Sequence, residues 1–179
     1  DIITPVYEAT AVFNLCKMKT HLFTMITGAV KNIFGVIPGL LKPGYHAKLR
    51  DPKRFAGMLL DLAQYISPRI SIMDAVVAME GNGPGAGDPR PVGLLLGSRN
   101  PLALDVVAGE IMGIDRSLNS IIVEAEQREL QPHRIEEIEI IGADLNDVKV
   151  PDFKPPQLSP GDFGLDPMPW HRQLIQPYM

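Results

Sequence analysis

Lys17, Lys19 and His21 occupy alternate positions in the run Lys17-Met18-Lys19-Thr20-His21. In an extended chain that spacing sets both ammonium groups on one face and Met18 on the other. Where a strand gives way to a helix, such charges add to the unsatisfied N–H groups of the helix start and hold phosphate or carboxylate. The bland alternative is a pair of solvated lysines. Further on, Lys31-Asn32 interrupts a stretch that is otherwise apolar or small, from Gly28 to Gly35. A lysine placed there either finds an anion or a carboxylate, with Asp105 a candidate, or carries its ammonium to water along an apolar stem.

Asp105 is the one awkward residue in the run Leu102 to Met112, among Leu104, Val106, Val107 and Ile111. Nearly any rotation of a helix there places its carboxylate beside apolar surface, which costs several kcal/mol unless the group is protonated or paired. It therefore needs a partner. That partner is either structural (a backbone N–H, a serine or a neighbouring lysine) or functional (a lysine, metal or substrate at a site).

A third group lies between Asp74 and Asp88, where an apolar run empties into Gly81-Asn82-Gly83-Pro84-Gly85-Ala86-Gly87. Counting by twos puts Asp74 and Glu80 on one face of a regular strand, roughly 20 Å apart, too far for a paired acid and base. Glu80, at the loop, is the better site candidate. The glycines let backbone N–H groups face a ligand, with Asn82 and Gly83 at the centre of the loop. The spacing matches neither a P-loop nor a dinucleotide fingerprint. A wide hairpin connection is the structural alternative.

Other reactive residues yield less. His21 and His46 lack the close companions of a zinc site, His133 and His171 read as surface, and no nucleophile elbow is present. Cys16 is the only cysteine, so neither a disulfide nor a cysteine-held iron–sulfur cluster can be built from this chain alone. A formal charge of -4 and pI near 5.5 argue against broad nucleic-acid binding. No apolar run reaches the length of a membrane span, and a reducing, cytoplasmic setting is expected. The start at Asp1 suggests a cut piece of a longer protein.

The elements that must position these residues follow from periodicity. We expect a strand over residues 8–16, a helix over 24–34 capped by Thr20 or Thr24, and a second helix from Pro52 to Ile66. Strands are expected over 69–79, 91–98 and 136–141, with helices over 102–112, after the Asn100-Pro101 cap, and over 117–130. This order implies an α/β layered domain around a mixed sheet over residues 1–150, a fragment of a larger domain. Residues 151–179 form a proline-rich tail, extended or disordered, whose Phe153, Phe163, Trp170 and Tyr178 could clasp the domain.

Taken together, Lys17 to His21, Gly28 to Gly35, Met79-Glu80-Gly81-Asn82-Gly83-Pro84 and Asn100 to Asp105 resemble the domain of unknown function family numbered 362, over about residues 8–115. The resemblance implies a bacterial or archaeal cytoplasmic protein, often joined to ferredoxin-like four-iron four-sulfur segments that this chain lacks. It carries over the positions Lys17, Lys19, His21, Lys31, Asn32, Glu80, Asn82 and Asp105. The reading that follows is a composite site for a small anionic molecule. Lys17, Lys19 and Lys31 neutralise the ligand with Asn32, Asn82 and Gly83 beside them. Glu80 and Asp105 orient a lysine or hold a divalent cation, and His21 moves any proton. No resident metal is assigned, and the cofactor is unknown. The alternative is a redox-associated scaffold or electron-transfer accessory domain with a ferredoxin-like partner; neither reading involves nucleic acid or membrane.

Overall fold

The computed structural model describes residues 1–157. A short helix α1 (Thr4–Glu8) precedes strand β1 (Phe13–His21), which turns back antiparallel into β2 (Met25–Thr27). After the short helices α2 (Ala29–Asn32) and α3 (Lys42–Lys48) comes the longest, α4 (Pro52–Ile66). Strands β3 (Ile70–Glu80) and β4 (Asp88–Ser98) form an antiparallel pair, and α5 (Pro101–Ile111), α6 (Ser120–Gln127) and α7 (Leu145–Val148) follow. The sheet order is β2-β1-β3-β4, with β1 and β3 parallel, so the domain is α/β around a mixed sheet.

Helix α5 lies between the sheet and the outer helices, which is why it is apolar nearly all round. On one side Leu104, Ala108 and Ile111 join Met18 and Met73 from the sheet. On the other, Leu102 and Val106 join Phe55, Leu59, Ile121 and Ile122 from α4 and α6. The opposite face of the sheet is open: Phe13, Leu15 and Leu95 are 63 %, 68 % and 70 % exposed.

Several boundaries agree with the periodicity. Asp51 caps α4 by accepting the Lys53 N–H, and Asn100 Oδ1 accepts the N–H groups of Leu102 and Ala103 at 2.9 and 3.3 Å. Other elements differ from expectation for identifiable reasons. Strand β1 begins and ends later than residues 8–16, because Asn14, Cys16, Met18 and Thr20 form the buried alternation. Lys17, Lys19 and His21 are therefore strand residues, and the strand does not end before them. The expected helix over 24–34 is instead β2, α2 and a 3-10 turn (Ile33–Val36), and neither Thr20 nor Thr24 caps it. Asp115 and Asn119 each cap a start, which divides the expected 117–130 helix into a 3-10 turn and α6.

No strand forms over 136–141. Ile135 and Ile138, three apart, both pack on the α4–α6 cluster, a spacing that suits the 3-10 turn found at Ile135–Glu137. Nor do Asp74 and Glu80 share a face. An irregularity between Ala75 and Val77 leaves Val76 and Val77 both exposed and shifts the alternation, so that Ala78 and Glu80 turn inward. The start of the expected tail is bound to the domain: Phe153 is buried and the Lys154 backbone pairs with Gly81. Phe163, Trp170 and Tyr178 lie outside the described residues.

Candidate functional site

At the end of β1 a cleft of about 460 Å³ opens among β1, β2, α2, α3 and the glycine loop. Leu22, Phe34 and Pro84 make its apolar walls, and His21, Thr27, Lys31, Lys42 and His46 supply polar groups. His21 is buried against the hairpin turn, where its Nδ1 accepts the Phe23 N–H at 3.0 Å. The remaining ring proton therefore sits on Nε2. Burial first, then the charges of Lys31 and of Lys19, press its pKa down to about 2. At neutral pH this imidazole is an uncharged N–H donor.

Lys31, on α2, lines the same cleft. Burial, followed by repulsion from Lys19 and Lys42, lowers its pKa to about 8. Among the described residues no carboxylate lies within ion-pair distance of Lys19, Lys31 or Lys42; Lys42 rests over the Phe34 ring at 5.9 Å. His46 stacks on Phe55 with ring centroids 4.4 Å apart and meets Phe34 edge-on, so it forms a supported wall. The last polar group is Thr27 at the end of β2. The residue lines the cleft and is 8 % exposed, while its hydroxyl oxygen is buried and has no hydrogen-bond partner among the described residues. An unmet buried hydroxyl costs on the order of 1–3 kcal/mol.

Asp105 explains how this wall is built. From the middle of α5 its carboxylate accepts the N–H groups of Ala29 and Val30 at 2.5 and 3.0 Å, so it starts α2 from a distance. Its partners are backbone amides, the structural alternative, and Lys31 follows directly in the chain. Burial raises its pKa to about 7 although the two amides pull it down. Gly28 is required here: a Cβ would come within 2.0 Å of the carboxylate oxygen. Burial and then Asp105 also push the Cys16 thiol up to about 12, which suits packing rather than nucleophilic attack.

The structure distributes the remaining sequence candidates elsewhere. Lys17 pairs with Asp74 at 2.7 Å on the open sheet face. Asn32 lines the cleft, but its amide is engaged by Asn14 and the Leu15 carbonyl, which ties α2 to β1. Glu80 accepts the Lys154 N–H and faces Arg90 and Lys154 Nζ at 3.8 and 3.6 Å, so it anchors the segment after α7. Asn82 accepts the Gln157 N–H. Gly83 lies so close to the Thr20 carbonyl that a Cβ would sit 2.0 Å from it, and the loop is thereby seated against β1. No group of three or more His, Cys, Asp or Glu able to hold a metal occurs among the described residues.

Thr27 and Lys42 were not among the sequence candidates. Thr27 ends a short edge strand that resembles helix by composition, and Lys42 lies in a segment whose fold brings it back over Phe34. Only the Thr27-Gly28 pair, a β-branched hydroxyl before the one residue that fits against Asp105, carries a local signal.

The sequence pattern of the family described as "Domain of unknown function (DUF362)" matches residues 1–110, more than half of the chain. The chain belongs to this family. All the cleft residues named above and Asp105 fall within the match. A thylakoid-associated protein of a Synechocystis species is 39 % identical over 160 residues, covering 88 % of this chain and 50 % of the relative. The chain thus spans half the length of that relative. No solved structure matches. Among the described residues no helix is long and apolar enough to cross a membrane.

Proposed function

We propose that this DUF362 member binds a small anionic molecule in the cleft between the end of β1 and α2. The observation that carries the reading is the polar lining: Lys31 and Lys42, with Lys19 near enough to act on Lys31, have no carboxylate partner among the described residues. Lysine charge supplies attraction, the His21 Nε2–H supplies orientation, and the apolar walls strengthen both. Of the charged groups named from the sequence, Lys19, His21 and Lys31 enter this reading; Lys17, Glu80 and Asp105 support the fold around it. A prokaryotic setting accompanies the proposal, supported by the Synechocystis relative.

A thermal-shift titration with inorganic phosphate, short carboxylates and nucleotides tests it, since a ligand of the folded state raises Tm. At least one anion class is expected to raise Tm, with the effect lost in Lys31→Met. No shift with any anion would overturn the proposal.

A second reading, an accessory domain beside a ferredoxin-like redox partner, is supported by the thylakoid association named for the relative, because thylakoids house electron-transfer chains. Its test is the iron content and visible spectrum of the longest polypeptide encoded around this sequence. Iron–sulfur absorption would favour it, and iron-free protein would remove it.

A further inference from the structure

We propose that Lys31 captures its ligand covalently, as an imine with the carbonyl group of a small anionic aldehyde or 2-oxo acid. The proposal rests on the anion-binding reading of the same cleft and goes one step beyond it. A lysine that serves only as a counter-charge does best as a fully charged ammonium facing open solvent or a carboxylate. Lys31 has neither arrangement: it is half-buried on a cleft that Phe34 and Leu22 also line, two further ammoniums oppose its charge, and no described carboxylate lies within ion-pair distance of it. Those are the conditions that keep a lysine as a nucleophile. With its pKa at about 8, about a quarter of Lys31 is free amine at pH 7.5, against about one part in a thousand for an ordinary lysine at 10.5.

The other groups have matching uses. The Lys31 nitrogen forms a bond to the carbonyl carbon, and the carbonyl π pair moves to oxygen. That oxygen takes the proton lost by nitrogen, giving a neutral carbinolamine. Loss of the second nitrogen proton and of the hydroxyl releases water and leaves the C=N bond, so amine plus carbonyl gives imine plus water. Nothing is oxidised or reduced. The neutral His21 Nε2–H is a donor suited to the oxygen on which charge gathers, and His21 lines the cleft. Lys42 remains to neutralise the ligand's carboxylate or phosphate, which explains why the cleft holds more than one lysine.

The test is reductive trapping on the intact chain. Pyruvate, glyoxylate and pyridoxal 5′-phosphate are each incubated with the protein and sodium cyanoborohydride, and adducts are located by peptide mass spectrometry. Lys31 is expected to label at least about tenfold faster than the exposed Lys53 at pH 7.5, a conservative fraction of its excess of free amine. Its labelling rate should level off above about pH 8 while that of Lys53 keeps rising. Lys31→Arg and Lys31→Met, checked for folding by circular dichroism, should lose the fast adduct, and Lys53→Arg should keep it. Labelling of Lys31 no faster than Lys53 with all three probes overturns the imine. Lactate, which has the carboxylate of pyruvate without the carbonyl, separates the two levels. A Lys31-dependent thermal shift with both pyruvate and lactate and no adduct leaves anion binding standing alone. No shift and no adduct with any probe, phosphate included, removes both.

Discussion

Replacing Asp105 by asparagine tests the build of the site wall through its pH dependence. The aspartate is held in the protein at a pKa of about 7, against an ordinary value of 3.8. Below both values the folded and unfolded chains are equally protonated at this residue, and no penalty exists. Between them the unfolded chain gives up the proton while the folded chain keeps it, so stability falls as pH rises. Above about 7 the loss is complete. The interval of about three pH units at ~1.4 kcal/mol each gives a loss of ~4 kcal/mol between pH 4 and pH 8. Asparagine does not titrate, so Asp105→Asn removes that pH dependence. It also turns one acceptor of the Ala29 and Val30 amides into a donor, a pH-independent cost of ~1–3 kcal/mol. Urea unfolding of both proteins at pH 4, 6 and 8 isolates the effect, because all other titrating groups are common to the two. The variant is expected to be the less stable at pH 4 and to gain ~4 kcal/mol relative to the parent by pH 8. Parallel pH curves would refute the reasoning and place an ionised carboxylate at the start of α2.

Other perturbations probe the surrounding parts. Gly28→Ala should cost ~1–3 kcal/mol, because its methyl would meet the Asp105 carboxylate, with the nearer oxygen at 2.0 Å, while that carboxylate is held by the Ala29 and Val30 amides; an unchanged melting temperature would show that α2 or Asp105 can move away. Glu80→Ala should leave Arg90 without its buried partner and the Lys154 N–H without an acceptor. Hydrogen exchange at Lys154 and Gly81 should then speed up by at least about tenfold while β1 stays protected, and equal protection in both proteins would contradict the anchoring role. Lys17→Ala removes a charge paired to Asp74 on the open sheet face, so anion titrations should be unchanged. A tenfold loss of affinity would instead make Lys17 part of the site.

The contrast between Asp105 and Thr27 shows which parts of the site could be read from the chain. A carboxylate in an apolar helix violates a rule strong enough to demand a partner, and the helix itself was bounded by Asn100-Pro101, so residue and position were both legible. The identity of the partner was not, because the two amides come from a segment more than seventy residues away whose helical start depends on Asp105 itself. Local composition over 24–34 favours helix throughout, and only that tertiary cap, with Gly28, makes the chain finish a strand before turning. Thr27 consequently had no visible role. Similar reasoning covers Glu80: a strict period of two placed it with Asp74, and the bulge at Val76–Val77, which leaves no compositional trace in a run of small and branched residues, moved it inward. Spacing alone would set Lys17 and Lys19 on one face, yet β1 is irregular between them, Lys17 pairs with Asp74 at one end, and His21 is buried at the cleft at the other.

Calorimetric titration of the parent chain and Lys31→Met with inorganic phosphate and pyruvate at pH 7.5 shows whether Lys31 belongs to an anion-binding cleft. Saturable binding of at least one of these anions by the parent is expected, weakened at least about tenfold in the variant as a charge-assisted contact is lost. Equal affinity in the two proteins, or no binding in the parent, would contradict it.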